Sequence, residues 1–592
     1  MDPSLLNSLL SRADQVLSHP CQTDLCEIVC AARGAIANGH PTIPSAAFTA
    51  FVERVPHLFG AGERLLVWLR QAEDELRWLP GVTYDEIPHA GFEVLRRLTY
   101  TAAICAPAEL WVAAHLLSNH ATAGVLDEFA RGGGVRPMEI AVRRGLDPLL
   151  VDAGIRFLHA RGYLDLSSRG YVVSSGAAAR SVVLSPHLVM PPQIDDPVEC
   201  LVARWGGDPS AGGKALDQLL AWLASACLAP ASCGWVAGLR EIRLGYLVLL
   251  LTLVFRRLRG EENVRPGQRL AVLLPGEPNG AGSLFELAGL TCVDGRLTSA
   301  GARVLTRGSG PCGIVYSYRP HFAALAERLT KRGGGLQIAR SENLTASQTG
   351  NRNAFRGGNA ALDRFCERTG YRYDLFIEHA MGRAEAIRQR FLLSGEAGIR
   401  YVGADTDDAA IRAAEGLRAA GELPLNMRLV RSCDIGRPAT LLDALRVAGI
   451  RTSAGVMMVG NGFHEIRAQT DEGIAAVLGE YCRAGLVLIL TEESLLDDDS
   501  LRATAWNSYH GGFRYLHTVS GQWLRPYGHR DEALGRDCWG ACLSRAGYLI
   551  SEEFSVKSRP IFPCDDSPVS NPPISVTYFC VPEELARSLS FA

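Results

Sequence analysis

From about residue 371 onward, short apolar runs alternate with longer stretches in which apolar residues recur at helical spacing. The short runs predict strands, and the stretches between the first five of them predict helices. Such alternation is typical of a doubly wound α/β sheet, which binds ligands at the carboxyl ends of its strands. The predicted strands cover 373–378, 400–404, 427–430, 455–459, 486–491, 552–556 and 574–581, and the predicted helices cover 384–393, 409–420, 441–447 and 472–484.

A different pattern lies upstream, between residues 136 and 177. Gly145 and Gly162 are placed to end helices, and Asp147 followed by Pro148 is a typical helix start. Two alternating segments then flank a Ser-Ser-Arg-Gly turn, which predicts a hairpin. Helix, turn, helix and hairpin in this order predict a winged helix. A weaker copy over 284–305 indicates an internal duplication: a helix ends at Gly289, and two short strands flank an Asp294–Gly295 turn, the second ending at 298–301.

Composition and two linker-like stretches indicate several domains. The 592 residues are 47% apolar and 21% charged, which is ordinary for a chain of several globular domains. A glycine-rich stretch at 331–335 and a polar stretch at 341–359 mark a boundary. We therefore predict a helical region over 1–90, a winged-helix domain over 91–185, a helical region with the second copy over 186–335, and a Rossmann-like domain over 336–592.

Charge and cysteine content limit the environment of the protein. The net charge of −3 gives no bulk attraction to nucleic acid or anionic lipid. The 16 cysteines include no CxxC pair, which favours reduced thiols in the cytoplasm. The longest apolar run, 244–255, is shorter than the roughly 20 residues of a membrane span, so we expect a buried helix and no membrane association.

Small residues follow the first predicted strand at alternate positions. Glu378 ends this strand, and Ala380, Gly382 and Ala384 come after it. Small side chains allow the backbone to approach a ligand closely. The G-x-G-x-x-G motif of dinucleotide-binding dehydrogenases is absent here, which argues against a dehydrogenase.

Acidic and polar residues follow the next three strands. Asp405 can accept hydrogen bonds from both hydroxyls of a ribose. Asp434 can accept one from an adenine amino group. The fourth strand leads into Asn461, His464 and Glu465. These positions predict a nucleoside site with reactive groups beside it.

This order of an acidic loop, a ribose acid, an adenine acid and two closing strands resembles class I S-adenosylmethionine-dependent methyltransferases over 371–582. The upstream pattern is similar to the winged-helix region of small-molecule methyltransferases, back to about residue 107. The strings FIEHA-G and GNGFHEIR resemble the methyltransferase modules of the apratoxin and saxitoxin polyketide synthases, and also the carbon methyltransferases of 2-oxo acids.

The resemblance implies that S-adenosylmethionine is the cofactor and assigns residues to it. Glu378 and Gly382 would hold its methionine part, Asp405 its ribose and Asp434 its adenine, with Asn461 as a further contact.

The chain departs from the family in this loop. Alanine stands at 380 and 384, where the family has glycine. Because alanine adopts a positive φ only at a cost, we expect the loop to follow a different path.

Winged helices either bind DNA or, in methyltransferases, pair subunits and cover the active site. A DNA-reading helix is usually basic. The candidate helix at 148–160 contains Asp152, and its cations are Arg156 and His159. We therefore expect a homodimer contact or a lid rather than DNA binding. A DNA-binding regulator with a ligand-binding α/β domain is the non-enzymatic alternative.

The candidate catalytic residues are His464, Glu465, His510 and His517. His464 and Glu465 follow the fourth strand, where a general base or a metal ligand is expected. The alternative is that His464 caps a helix or stacks on adenine.

A metal is the second candidate feature of the site. His510 and His517 are two helical turns apart and would share one helix face, unless Gly511 and Gly512 interrupt the helix. With His464 and Gln522 they could bind Fe(II) or Mn(II), which would stabilise an enolate. The alternative is an aromatic helix with buried, hydrogen-bonded histidines.

Together these patterns predict a cytoplasmic methyltransferase of specialised metabolism. Its expected substrate is a small molecule or a carrier-bound acyl group, which it methylates on the carbon next to a carbonyl. Oxygen methylation with a histidine base is the alternative reaction.

Overall fold

The computed structural model describes residues 25, 27–36, 40–54, 58–232, 234–260, 263–274, 280–330, 340–395, 398–467, 469–504, 506–532, 534–558, 562–564 and 571–589. These residues form two compact units. The N-terminal unit comprises the described residues up to 336 together with those of 498–519 and 561–571. The C-terminal unit comprises those of 337–497, 520–560 and 572–592. Residues 498–519, which the sequence predicts in the Rossmann-like domain, belong to the N-terminal unit. The predicted limits at residues 90 and 185 stay predictions.

The N-terminal unit is mainly helical. Its strands are β1 (Arg33–Ile36), β2 (His40–Thr42), β3 (Leu164–Ser167) and β4 (Gly170–Val173). Its helices up to residue 184 are α1 (Ser45–Arg54), α2 (Leu58–Arg77), α3 (His89–Thr122), α4 (Val125–Ala130), α5 (Pro137–Arg144), α6 (Pro148–Ala160) and α7 (Ala177–Leu184). Next come α8 (Pro197–Trp205), α9 (Gly213–Ala224), α10 (Leu239–Arg259), α11 (Leu270–Leu273), α12 (Ala281–Leu287), α13 (Ser299–Arg307), α14 (Ser309–Tyr316), α15 (Arg319–Ala323) and α16 (Leu325–Thr330). Short 3-10 turns lie at Tyr84–Glu86, Pro186–Leu188 and Ser225–Leu228.

Two long apolar helices, α3 and α10, form the core of this unit. The apolar run at 244–255 lies within α10, where most of its side chains are buried, as the sequence predicted. Helix α3 is long and apolar enough to cross a membrane by length and composition, but 78% of its most apolar window is buried inside the protein. Its apolar surface is therefore accounted for by packing within the unit. Gly245 marks the closest approach, because a Cβ there would lie 2.5 Å from Leu110 on α3.

The helices and hairpin predicted over 136–177 are present as α5, α6, β3 and β4. Asp147 caps α6, its carboxylate accepting hydrogen bonds from the backbone N–H groups of Leu149 and Leu150. Gly145 has a φ of +67° and ends α5. Strands β3 and β4 pair in antiparallel register. The designation of these elements as a winged helix stays a prediction.

The weaker copy over 284–305 differs from this pattern in its second half. Helix α12 and the left-handed Gly289 match the expectation. In place of a hairpin, Thr291 and Leu297 form an isolated antiparallel bridge. Thr298 then caps α13, accepting a hydrogen bond from the Gly301 N–H group, so 299–301 begin a helix and do not end a strand. The proposed duplication stays a prediction.

The C-terminal unit contains a sheet flanked by helices. Its strands are β5 (Leu375–His379), β6 (Arg400–Ala404), β7 (Arg428–Val430), β8 (Gly455–Gly460), β9 (Val487–Leu495), β10 (Arg525–Pro526), β11 (Tyr548–Lys557) and β12 (Ser575–Pro582). Its helices are α17 (Arg340–Thr369), α18 (Glu385–Ser394), α19 (Asp408–Ala419), α20 (Pro438–Val447), α21 (Asp471–Arg483), α24 (Trp539–Arg545) and α25 (Glu583–Ser588), with a 3-10 turn at Phe463–Glu465. Two helices fall wholly or mostly in the segment 498–519, namely α22 (Asp498–Ala503) and α23 (His510–Ser520).

The strand order in this sheet is β11-β12-β9-β8-β5-β6-β7, with β10 pairing to β9. Strands β5 to β9 pair in parallel, whereas β12 is antiparallel to both β9 and β11. The predicted α/β alternation is confirmed, and the sheet is mixed. The chain order reverses between β5 and β8, so the carboxyl ends of these strands border the crevice in which such sheets bind ligands.

Buried apolar residues cover both faces of the sheet. One layer includes Ile377, Val402 and Leu488, and the other includes Phe376, Tyr401 and Ile489. Successive residues of a strand point to opposite faces, so these runs appear in the sequence as continuous apolar stretches. Packing on both faces fixes the positions of the strand ends.

Candidate functional site

Backbone strain is concentrated at the carboxyl ends of the parallel strands. Among the described residues, four that are not glycine have a positive φ, namely Ala380, Ala384, Ser432 and Asn461. Ala380 and Asn461 directly follow β5 and β8, and Ser432 is two residues beyond β7. Each costs of order 1–3 kcal/mol and persists because the surrounding structure holds it. Clustering of this kind is typical of ligand sites.

Alanine takes a positive φ in the loop after β5 despite its cost, and the expected difference in path from the family stays a prediction. Ala380, Gly382 and Ala384 have φ values of +52°, +54° and +59°. All three lie in the left-handed region that glycine adopts without strain. The loop therefore has glycine-type conformations at these positions, and the buried packing of Ala384 at the start of α18 holds it in place.

Asp405 ties this loop to the end of β6. It is 2% exposed. Its Oδ2 accepts a hydrogen bond of 2.9 Å from the Gly382 N–H group, and its Oδ1 accepts one of 2.9 Å from Asp407 N–H. Each carboxylate oxygen has a second lone pair with which it can accept a hydroxyl hydrogen. The predicted ribose acid and the predicted methionine loop are therefore adjacent.

Glu378 is a buried carboxyl group at the end of β5. Its Oε2 accepts a hydrogen bond of 2.8 Å from Ile387 N–H in the first turn of α18. No described group forms a hydrogen bond with Oε1, which is buried. Burial raises the pKa of Glu378 to about 8. A cationic group placed at Oε1 would ionise this carboxyl, because an opposite charge favours the charged form.

Asp434 lies at the edge of the site. Its Oδ1 accepts a hydrogen bond of 2.8 Å from Gly436 N–H, and its side chain is about half exposed. The preceding Cys433 donates its N–H to the backbone carbonyl of Asp405. This bond joins the loop after β7 to the end of β6. The predicted cofactor residues Glu378, Gly382, Asp405, Asp434 and Asn461 thus all lie at one end of the sheet.

His464 forms a buried pair with Glu492. The Nδ1 atom of His464 lies 2.8 Å from Glu492 Oε2, and Glu492 Oε1 accepts a hydrogen bond from Phe463 N–H. A carboxylate accepts only, so Nδ1 carries the proton and the basic lone pair is on Nε2. The backbone carbonyl of His464 is itself bonded by Gln469 and Trp523, which fixes the ring from behind.

The charges around His464 decide its protonation. Burial disfavours the imidazolium, but the attraction and hydrogen bond of Glu492 outweigh burial and raise the pKa of His464 above 6.5. The half-buried Glu465 adds to this effect. Burial raises the pKa of the neighbouring Glu493 to about 7. The site therefore contains a histidine strengthened as a base by a carboxylate.

Replacing Glu492 with glutamine should lower the pKa of His464. The amide oxygen can still accept the Nδ1 proton, at the cost of the Phe463 N–H hydrogen bond, and the negative charge that opposes burial is lost. NMR titration of ring-labelled histidine in the two proteins measures the shift, and exposed His529 provides an internal control. An unchanged His464 titration in the variant would contradict the assigned pair.

His510 and His517 lie on α23, and both are buried. Their helix begins at His510 and runs through Gly511 and Gly512 without interruption. These glycines make room for a carboxylate, because a Cβ on Gly512 would lie 2.7 Å from Glu109 Oε2. Glu109 Oε2 also accepts the Gly512 N–H hydrogen bond.

The predicted metal site is not supported. Across the described ranges, no group of three His, Cys, Asp or Glu side chains has the arrangement needed to hold a metal ion. His510 and His517 belong to the N-terminal unit, whereas His464 and Gln522 belong to the C-terminal unit. His517 Nδ1 forms a hydrogen bond with the Phe513 carbonyl. This agrees with the alternative of an aromatic helix with buried, hydrogen-bonded histidines. Gln522 Oε1 accepts a hydrogen bond from the Ser520 hydroxyl.

The residue that sequence patterns missed is Glu492. The predicted fifth strand ends at residue 491, one position before Glu492, but β9 continues to Leu495 and buries Glu492 inside the sheet. Two adjacent acids inside an otherwise apolar strand, Glu492 and Glu493, were the available indication. Their pairing with a histidine after β8 depends on β8 and β9 being neighbours, which the chain order does not specify.

No protein-family model and no curated protein matches the chain. Solved structures do show a likeness. The CurJ carbon methyltransferase is 13% identical over 66% of this chain and 100% of its own, with a TM-score of 0.31. An O-methyltransferase family 2 protein from Planctomyces limnophilus, in complex with apigenin, is 10% identical over 79% of this chain and 92% of its own, with a TM-score of 0.31.

The mitomycin 7-O-methyltransferase MmcR is 13% identical over 79% of this chain and 94% of its own, with a TM-score of 0.23. All three are methyltransferases. Similarities this low do not carry an assignment, so the functional argument rests on the site itself.

Proposed function

We propose that the protein is an S-adenosylmethionine-dependent methyltransferase that removes a proton from its acceptor with the His464–Glu492 pair. The observation that carries the proposal is the strained strand-end cluster, in which Ala380 and Ala384 take glycine-like conformations beside two buried acids. The two closing strands β11 and β12 agree with the sequence resemblance to class I methyltransferases.

The residues at the strand ends suit this cofactor. Glu378 Oε1 would receive its ammonium group, Asp405 its ribose hydroxyls, and Asp434 its adenine amino group. The cofactor supplies an electrophilic methyl group on a sulfonium. The left-handed loop brings backbone, and not side chains, next to the ligand, which permits close approach.

His464 would act as the general base. Its Nε2 lone pair takes the acceptor's proton as the acceptor's electron pair forms the new bond to the methyl carbon. Glu492 stabilises the imidazolium that results, through the Nδ1 hydrogen bond. A strengthened base of this kind is suited to an acceptor that must be deprotonated near neutral pH.

The strength of this base limits the acceptor. Imidazole is a weak base for a carbon next to a single carbonyl unless hydrogen-bond donors or a Lewis acid stabilise the enolate, and none of the residues assigned above has that role. We therefore propose acidic acceptors, namely a phenolic or enolic hydroxyl, or a carbon between two carbonyls. Such acceptors can be free small molecules or carrier-bound acyl groups of specialised metabolism.

Contacts of the basic residues argue against the DNA-binding alternative. In the helix pair α5 and α6, Arg143 and Arg144 are paired with Glu128, and Arg156 is paired with Asp498. His159 is buried and bonds the Leu164 carbonyl. Each of the three arginines is thus engaged in an ion pair within the N-terminal unit, with Glu128 shared between Arg143 and Arg144. Retention on duplex DNA at low salt would revive the alternative.

Replacing Asp405 with alanine should weaken binding of S-adenosylhomocysteine by about 10- to 150-fold. The reason is the loss of charged hydrogen bonds, worth roughly 1.5–3 kcal/mol. Isothermal titration measures the change. Asp408, three residues further on and exposed, gives the matched control Asp408→Ala, for which no change is expected. No detectable binding by the folded wild-type protein would refute the proposed function.

A further inference from the structure

Of the four strained residues, Asn461 is the nearest in sequence to the proposed base. It directly follows β8 with a φ of +54°, and its backbone N–H donates to the Thr491 carbonyl on β9. His464 is three residues further along, and Glu492 follows Thr491. Asn461 therefore lies at the same two strand ends as the His464–Glu492 pair.

Only the nitrogen of the Asn461 side-chain amide forms a hydrogen bond with a described group. Its Nδ2 donates a hydrogen bond of 2.9 Å to Asn351 Oδ1, whereas its Oδ1 is buried and receives no hydrogen bond from any described group. A buried acceptor left without a donor costs about 1–3 kcal/mol. Such an atom beside a strained backbone calls for a donor that arrives with a ligand.

Asn351 comes from α17, the helix that precedes the sheet, and is itself buried. The helix lies close against the end of β8. A Cβ on Gly460 would lie 2.5 Å from the Phe355 ring and 3.2 Å from Asn351 Nδ2. Glycine at 460 thus permits the approach that lets Asn351 reach Asn461.

We infer that Asn351 is a positioning residue, which fixes the Asn461 amide so that Oδ1 accepts a hydrogen bond from an ammonium or hydroxyl group of a bound ligand. The inference rests on the proposed function and deepens it, because it assigns a donor group to the ligand. Two sources share this chemistry: the ammonium of the cofactor's methionine part, and a hydroxyl of the acceptor.

The test compares Asn351→Ala with Asn351→Asp in the full chain. Alanine frees the Asn461 amide to rotate, whereas aspartate accepts the Nδ2 hydrogen bond and keeps Oδ1 in place. Affinities for S-adenosylhomocysteine, which carries the ammonium, and for 5′-methylthioadenosine, which lacks it, are measured by isothermal titration. Exposed Asn353 on the same helix provides the matched control Asn353→Ala.

If the donor is the cofactor ammonium, Asn351→Ala should weaken S-adenosylhomocysteine binding about tenfold and leave 5′-methylthioadenosine binding unchanged. If the donor is an acceptor hydroxyl, both nucleosides should bind normally and KM for a catechol acceptor should rise about tenfold. In either case Asn351→Asp should restore the wild-type value, which a purely structural loss would not predict.

Gly460→Ala provides a second, independent variant, because its Cβ would push Phe355 and Asn351 away from the strand end. We expect it to reproduce the selective loss of Asn351→Ala. Unchanged nucleoside affinities and an unchanged KM in Asn351→Ala would overturn the inference while leaving the proposed function intact. A wild-type chain that binds neither nucleoside would overturn both.

Discussion

Replacing His464 with alanine is expected to lower kcat by about 10²–10⁴ while leaving the affinity for S-adenosylhomocysteine nearly unchanged. This is the usual contribution of a positioned general base. The proposed step transfers the acceptor's proton to Nε2, so the alanine variant lacks the group that takes it. Release of S-adenosylhomocysteine in the presence of a phenolic or 1,3-dicarbonyl acceptor measures the rate.

Two controls separate a lost base from a damaged fold. His529→Ala removes an exposed imidazole and should leave kcat unchanged. His464→Gln retains the hydrogen-bonding capacity toward Glu492 but cannot take a proton, so it should be as slow as the alanine variant. Turnover at the wild-type rate in either His464 variant would remove the histidine from the mechanism.

Replacing Arg161 with alanine is expected to destabilise the protein by about 3–5 kcal/mol. Arg161 and Glu109 form an ion pair in which both side chains are fully buried. Arg161 also donates to the Leu501 carbonyl and to the Thr504 hydroxyl. Removing one partner leaves Glu109 buried without its counter-charge, and this accounts for the large cost. Urea denaturation of the variant and wild type measures the difference.

The double variant Glu109→Gln with Arg161→Met tests the physical reason. It removes both charges, while the glutamine oxygen still accepts the Gly512 N–H hydrogen bond, so most of the loss should be recovered. Arg156→Ala is the matched control, because the side chains of Arg156 and Asp498 are each about one-fifth exposed and Asp498 keeps a second partner in Arg514, so its loss should cost less than that of Arg161. A loss at Arg161 no larger than that at Arg156 would contradict the burial argument.

The sheet was predictable because its strands are buried on both faces. Strand β6 covers the predicted 400–404, and the five parallel strands and the helices between them lie within a few residues of their predicted limits, apart from the carboxyl end of β9. Continuous apolar runs of five or six residues that alternate with predicted helices are typical of buried parallel strands. Strand β11 extends beyond its predicted ends, to Tyr548 and Lys557, and pairs along its length with β12.

The site was predictable where chemistry follows a strand end in sequence, as at Glu378 and Asp405. It was not predictable where two neighbouring strands contribute. Glu492 meets His464 across neighbouring strands, and the sequence does not record which strands are neighbours. The spacing of His510 and His517 was correct for one helix, but the sequence held no indication that 498–519 belongs with the N-terminal unit.

The segmented construction of the two units has a consequence for synthesis on the ribosome. Glu109 accepts a hydrogen bond from Gly512, which lies 403 positions later in the chain. Most of the N-terminal unit therefore emerges long before residues 498–519 are made. Until then, the buried Glu109–Arg161 pair lacks its hydrogen bonds to Leu501, Thr504 and Gly512. Domains usually fold in the order of their synthesis. Here the first unit to emerge cannot finish folding until the core of the second has been translated, which prolongs its exposure to chaperones and proteases.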